Sequence, residues 1–271
     1  MSLDALLVAE LLLLGCAVGF LAGLLGVGGG MLLVPFITLI VSSRGVETGL
    51  AVKMAIATSM ATILFTSLSS VRAHHRRGAV RWDLVRQVAP GIMAGGLLAG
   101  AGAFSLLKGH WLGLFFGVFI AFMATQMLLA RPPKPAHRLP GAAGRTAMGG
   151  AIGFVSGLVG AGGAFMSVPW MTRGNVPIHQ AVGTSAALGF PIALANTAGY
   201  VIAGWSLPAT LPGAVGYLFL PALLVVSLAS VVTAPLGARV SHAMDVRQLK
   251  RVFALMLYGL ATYMLIKAWR G

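Results

Sequence analysis

The sequence predicts an all-α membrane protein: two inverted repeats of about five hydrophobic segments each, with glycine-broken re-entrant or hairpin helices. Composition, an internal duplication and the placement of basic residues carry this fold class. Hydrophobic residues make up 58% of the 271 residues and charged residues only 9%. Soluble domains sit near about 45–50% apolar and 25% charged. Polar surface is too scarce to cover such a chain in water, which excludes a soluble enzyme, a disulfide scaffold and a disordered protein. With about 20 residues per spanning helix, the chain has room for its spans and for no soluble domain between them.

Apolar stretches fall at roughly 5–25, 31–41, 51–71, 87–107, 112–130, 146–160, 164–172, 180–203, 213–236 and 252–268. Most are too long for strands, and the alternation of a membrane barrel is absent, so they read as helices. The first contains the run LLLLGC, which ends at Cys16. It lacks the basic n-region of a signal peptide and reads as an uncleaved membrane helix. One cysteine allows neither an internal disulfide nor a Cys-based zinc site, and no metal or cofactor is expected. Segments 31–41 and 164–172 are too short to span, and each follows a glycine cluster.

That irregularity occurs twice because the chain is duplicated. Ala17–Phe36 reads AVGFLAGLLGVGGGMLLVPF and Ala151–Trp170 reads AIGFVSGLVGAGGAFMSVPW, identical at ten of twenty positions. AIATSMA at Ala55–Ala61 matches AVGTSAA at Ala181–Ala187, and Phe116–Leu129 matches Phe253–Ile266. The expected organisation is a first transmembrane repeat over 1–130, a basic Pro-rich cytoplasmic linker over 131–145, and a second repeat over 146–271.

The net charge of +14 reads as topology rather than as nucleic-acid binding, because cytoplasmic loops collect Lys and Arg. Arg72, Arg76, Arg77, Arg81 and Arg86 flank one loop. Arg131, Lys134, Arg138 and Arg145 fill the linker, and Arg239, Arg247, Lys250 and Arg251 fill a third loop. These are 13 of the 19 basic residues. With all three loops inside and the uncharged 204–212 outside, 51–71 and 180–203 run in opposite directions. The repeats are then inverted, each glycine-broken segment returns to the side it entered, and both termini are periplasmic. A multi-pass protein of the bacterial inner membrane is expected.

The candidate site gathers at the breaks. Adjacent glycines interrupt a helix and permit close approach of backbone or ligand. A helix restarting beyond them offers free N–H groups and a positive dipole end, which suit oxyanions. Gly28, Gly29, Gly30 and Met31 form this motif in the first repeat; Gly162, Gly163 and Ala164 form it in the second. No Lys-Ser/Thr follows, so this is not a phosphate loop. Thr58 and Ser59 recur as Thr184 and Ser185, hydroxyls able to donate to an anion without carrying charge. Asn196 is a further polar candidate. Lys53, aligned with His179, is placed to attract an anion at a pathway mouth or to snorkel, and His179 is similarly placed in the second repeat. Glu10, the one acid within a span, is the coupling candidate. Cation and proton pathways commonly use carboxylate chains; their scarcity here favours an anion. No nucleophile–base–orienter arrangement appears, so no enzyme is expected.

The paired GLLGVGGG and GLVGAGGA motifs, each followed by VP and then an ATS or GTS helix, resemble the TauE/SafE family of sulfite exporters over nearly the whole chain. The first repeat departs from the pattern, with Ala57 where the second has Gly183. The resemblance implies a permease with inverted repeats for a sulfur-containing anion such as sulfite, thiosulfate or a sulfonate. By position it implies a pocket of Gly28–Gly30, Gly162, Gly163, Thr58, Ser59, Thr184 and Ser185. The expected function is secondary transport of a small anion by alternating access. An anion channel and a membrane accessory or assembly protein are the alternatives. The expected partners are that anion, membrane lipids and, as a candidate assembly, a second copy of the chain.

Overall fold

The computed structural model describes residues 5–25, 30–129, 139–209, 211–241 and 246–270. Ten helices fill these residues. In the first half they are α1 (Ala5–Leu25), α2 (Gly30–Ser42), α3 (Thr48–Arg76), α4 (Trp82–Leu106) and α5 (Gly109–Leu129). In the second half they are α6 (Ala142–Val159), α7 (Ala164–Arg173), α8 (Ile178–Gly204), α9 (Leu220–Ser241) and α10 (Val246–Arg270). Five carry stretches long and apolar enough to cross a membrane: α3, α4, α5, α8 and the 251–269 part of α10. The all-α membrane class follows from this. At a rise of about 1.5 Å per residue, the 10-residue α7 and 13-residue α2 fall well short of the ~30 Å hydrocarbon core.

Most expected segments became helices, with adjusted ends. One differs in kind. Segment 213–236 opens not as helix but as a two-stranded hairpin, with Ala214 paired to Phe219 and Val215 to Leu218. Gly213 and Gly216 take left-handed φ values of 80° and 55°, which other residues rarely adopt, and α9 starts only at Leu220. The apolar segment 146–160 lies in a longer helix, α6, which starts at Ala142. Of the linker 131–145, residues 131–138 lie outside the described residues. Within α4, Leu98–Ala103 widens into a π-helical turn.

Helices pack in pairs that exchange when the halves are exchanged: α1 lies on α9 and α4 on α6, while α3 packs on α8 and α5 on α10. Glycines make the first two contacts close. A Cβ on Gly91 or Gly95 would strike the Thr146 or Gly150 carbonyl of α6, and one on Gly19 would strike Ser230 of α9. Side chains seal the same seams. Thr146 donates to the Gln87 carbonyl at 2.9 Å and Ser230 to the Gly15 carbonyl at 3.0 Å.

These contacts fix direction. α4 runs with α6 and α1 with α9, whereas Gly113 and Gly117 of α5 meet Ala268 and Leu265 of α10 in reverse order. The starts of α1, α3, α5 and α9 therefore share one end of the bundle with the end of α10. The basic turn after α3 lies at the other end. Each short hairpin enters and leaves at one end. Arg44 after α2 pairs with Glu10 of α1 at 2.8 Å, and Leu139 before α6 packs on Gly174 after α7. The core between these layers is aliphatic, with Ile37, Met54, Ile56, Met60, Ile152 and Ile192 all fully buried.

Candidate functional site

Gly30, at the start of α2, and Gly160, at the end of α6, meet beside α3. Helix α6 ends because Gly160 turns left-handed at φ 61°, its N–H donating to the Ser156 carbonyl. Its Cα hydrogen faces the α3 backbone: a Cβ there would lie 3.1 Å from the Ile56 Cα and carbonyl. Gly30, the first described residue beyond the first break, abuts it; a Cβ on Gly30 would stand 2.8 Å from the Gly160 carbonyl. Ser59 fills the gap, its Oγ 3.2 Å from the Gly30 carbonyl and 3.1 Å from that of Gly160. A hydroxyl has one proton, so Ser59 donates to one break at a time and holds both within reach.

Around this point the second break is partly open. A Cβ on Gly162 would meet nothing nearer than Ile63 at 3.9 Å. Gly163, the cap of α7, is packed against Ile152 and Ile192. Ala164 is half-buried and Met31 buried in the corresponding first turns of α7 and α2. Phe165 meets Phe119 of α5 edge-on at 4.6 Å. Gly28 and Gly29 lie outside the described residues.

The paired threonines do matching work on two different segments of the chain. The Thr58 hydroxyl accepts the Phe219 N–H at 3.0 Å, and the Thr184 hydroxyl accepts the Arg81 N–H at 3.0 Å. Phe219 and Arg81 each stand one residue before the helix that follows. Helix starts leave N–H groups without intrahelical acceptors, and each threonine satisfies the amide just ahead of one. Both side chains are fully buried. Each oxygen is therefore already engaged by backbone. Ser185 pairs with Ser167 of α7 at 2.8 Å, tying α7 to α8.

Three candidates lie away from the meeting point. Asn196 sits in the α4–α6–α8 seam, its Nδ2 donating to the Gly153 and Ile192 carbonyls at 3.2 and 2.8 Å. Its room comes from Gly96 and Gly157, whose Cβ atoms would collide with it. His179 is exposed at the start of α8. Glu10 is engaged by Arg44, at the α1–α2 entrance.

Lys53 is buried near the start of α3, with its Nζ 5.6 and 5.4 Å from the Phe104 and Tyr217 ring centres. It donates to the Ser105 carbonyl at 3.3 Å. Burying an ammonium at membrane depth costs about 2.5–3.5 kcal/mol on insertion scales. Cation–π contacts return about 0.5–2 kcal/mol each. The cation thus links α3, α4 and the 214–219 hairpin.

Sequence reasoning missed Ser156 and Ser167, both fully buried, and Tyr200, whose hydroxyl donates to the Gly157 carbonyl. The signal was in the repeat alignment: Ser156 stands opposite Ala22 and Ser167 opposite Leu33. A hydroxyl in one repeat facing an apolar residue in the other marks where the halves diverge.

The family model described as "Sulfite exporter TauE/SafE" matches residues 11–264. A Haemophilus influenzae "Probable membrane transporter protein" is 33% identical over 257 residues, covering 94% of this chain and 97% of its own length. One from Methanocaldococcus jannaschii is 25% identical over 270 residues, 96% of each chain. A Bacillus subtilis relative with the same description, YunE, is 27% identical over 216 residues, 72% of this chain and 78% of its own. No solved structure matches. The chain belongs to the TauE/SafE family of membrane transporters.

Proposed function

We propose that the protein is a secondary transporter of a small oxyanion, of the sulfite, thiosulfate or sulfonate class, working by alternating access in the bacterial inner membrane. The substrate sits where the two glycine breaks meet. The observation that carries this reading is the Gly30–Ser59–Gly160 junction, where both interrupted hairpins converge on one helix. Non-helical backbone at membrane depth is tolerated only within protein or beside a water-filled cavity, and transporters bind substrate at such interruptions. The starts of α2 and α7 bring positive dipole ends to that level. Among the described residues, the acid within a span, Glu10, is paired with arginine, so no carboxylate competes for the pocket.

The halves act as inverted repeats, with the 1–130 and 146–271 units rocking about the Ser59 junction. The packing pairs that exchange between the halves support this. Both chain ends then face the periplasm, with the basic turns inside. The family description supports a sulfur anion as the class. Thermal-shift screening of purified protein against sulfite, thiosulfate, sulfate, methanesulfonate and carboxylates tests the reading, since a ligand that binds only the folded state raises the melting temperature. Stabilisation by sulfur oxyanions is expected. Stabilisation by carboxylates or cations alone would overturn the substrate class.

A further inference from the structure

We propose that the second repeat holds the oxyanion, through the hydroxyl of Ser156 in the last turn of α6, beside the start of α7, a contact the first repeat cannot make. This rests on the anion-transport reading above and assigns its oxygen-binding side chain. Ser156 is fully buried in the last turn of α6. Its Oγ has no hydrogen-bond partner among the described residues, although leaving a buried hydroxyl unpaired is costly. A Cβ on Gly163 would lie 3.2 Å from that oxygen, so the orphan hydroxyl rests against the cap of a ten-residue helix.

Other buried hydroxyls without partners, Ser42, Thr197 and Ser227, lie in α2, α8 and α9 away from the breaks. Ser156 combines an unused donor with a helix start. Six residues on, past the end of α6, Gly162 has its side open toward Ile63. That combination suits a tetrahedral or pyramidal oxyanion: one oxygen takes the Ser156 proton and another faces the positive end of α7. One turn further along α7, the Ser167–Ser185 pair at 2.8 Å continues the hydroxyl lining. In the first repeat the positions aligned with Ser156 and Ser167 are Ala22 and Leu33. The substrate is therefore carried by the second half, while the first supplies the Ser59 bridge.

The test compares Ser156→Ala with wild type by thermal shift and by isothermal titration with sodium sulfite and sodium methanesulfonate. Removing a hydroxyl with no protein partner should leave the ligand-free melting temperature unchanged or slightly raised. Affinity should fall about tenfold to hundredfold, as expected for a lost hydrogen bond to a charged group. Ser227→Ala should change neither quantity. Should Ser156→Ala fail to purify, Ser156→Cys carries the same comparison, with a weaker donor and an intermediate affinity expected. A lower ligand-free melting temperature with wild-type affinity would make the hydroxyl structural and overturn the inference. Absence of any anion-dependent shift in the wild type would overturn the transport reading itself, and this inference with it.

Discussion

The two repeats place different chemistry on the same helical plan. In the first, Ser59 reaches out of α3 to the carbonyls of both breaks. Its aligned partner, Ser185, stays within its own half and pairs with Ser167. The first repeat closes its hairpin with an ion pair, Arg44 to Glu10; the second closes its own by packing Leu139 on Gly174. Lys53 is buried under two aromatic rings, whereas its counterpart His179 is exposed. Only the threonines behave alike. The pairing that holds helix starts in place is thus common to both halves, and the differences fall on groups beside the Gly30–Gly160 junction and at the closure of each hairpin.

Substitutions can break this comparison, beginning with the largest effect. Alanine at Gly160 must adopt a left-handed conformation, costing about 1–2 kcal/mol, and must also displace the Ile56 backbone. A marked fall in melting temperature is expected. Gly162→Ala, with open space beside it, should melt close to wild type. Next, Thr58→Val leaves the Phe219 N–H, in a fully buried residue, without an acceptor, at about 1–3 kcal/mol. Thr184→Val should cost less, because Arg81 is exposed and water can replace the hydroxyl. Equal losses in denaturation of the two variants would show that the threonines are not differently solvated.

Smaller effects sharpen the same contrast. Ser59→Ala should cost about 0.5–1.5 kcal/mol and also slow transport, since it loosens both halves. Ser185→Ala should have a similar thermal cost, confined to the second half. Smallest is Glu10→Gln. The pair it breaks is partly exposed, with side-chain exposures of 20% and 37%, and such pairs contribute about 0–1 kcal/mol. The difference from wild type should vanish in high salt. A loss of proton-coupled flux in that variant, with stability unchanged, would mark Glu10 as a coupling group.

The helices were legible in the sequence because hydropathy alone decides where membrane helices lie, and the breaks because glycine clusters interrupt that pattern twice. The 214–219 hairpin was not, since its strands are two residues each and its identity rests on the backbone of Gly213 and Gly216. Recurrence found Thr58 and Thr184 but not what they do. Their acceptor role depends on amides from distant segments, Phe219 and Arg81, which no local pattern reveals. Asn196 is legible as a polar residue within a span, but the seam in which Gly96 and Gly157 make room for it is not. Ser156 read as one more small residue in AIGFVSG, and only its isolation in the fold distinguishes it from packing.

The central claim, that a sulfur oxyanion crosses through the junction of the two breaks, is tested most directly by flux into proteoliposomes holding the purified protein. The account predicts saturable uptake of sulfite or a sulfonate, accumulation against its gradient under an imposed ion gradient, and strong reduction in Ser59→Ala. Passive conductance without accumulation, or flux of carboxylates or cations with none of sulfur anions, would contradict it.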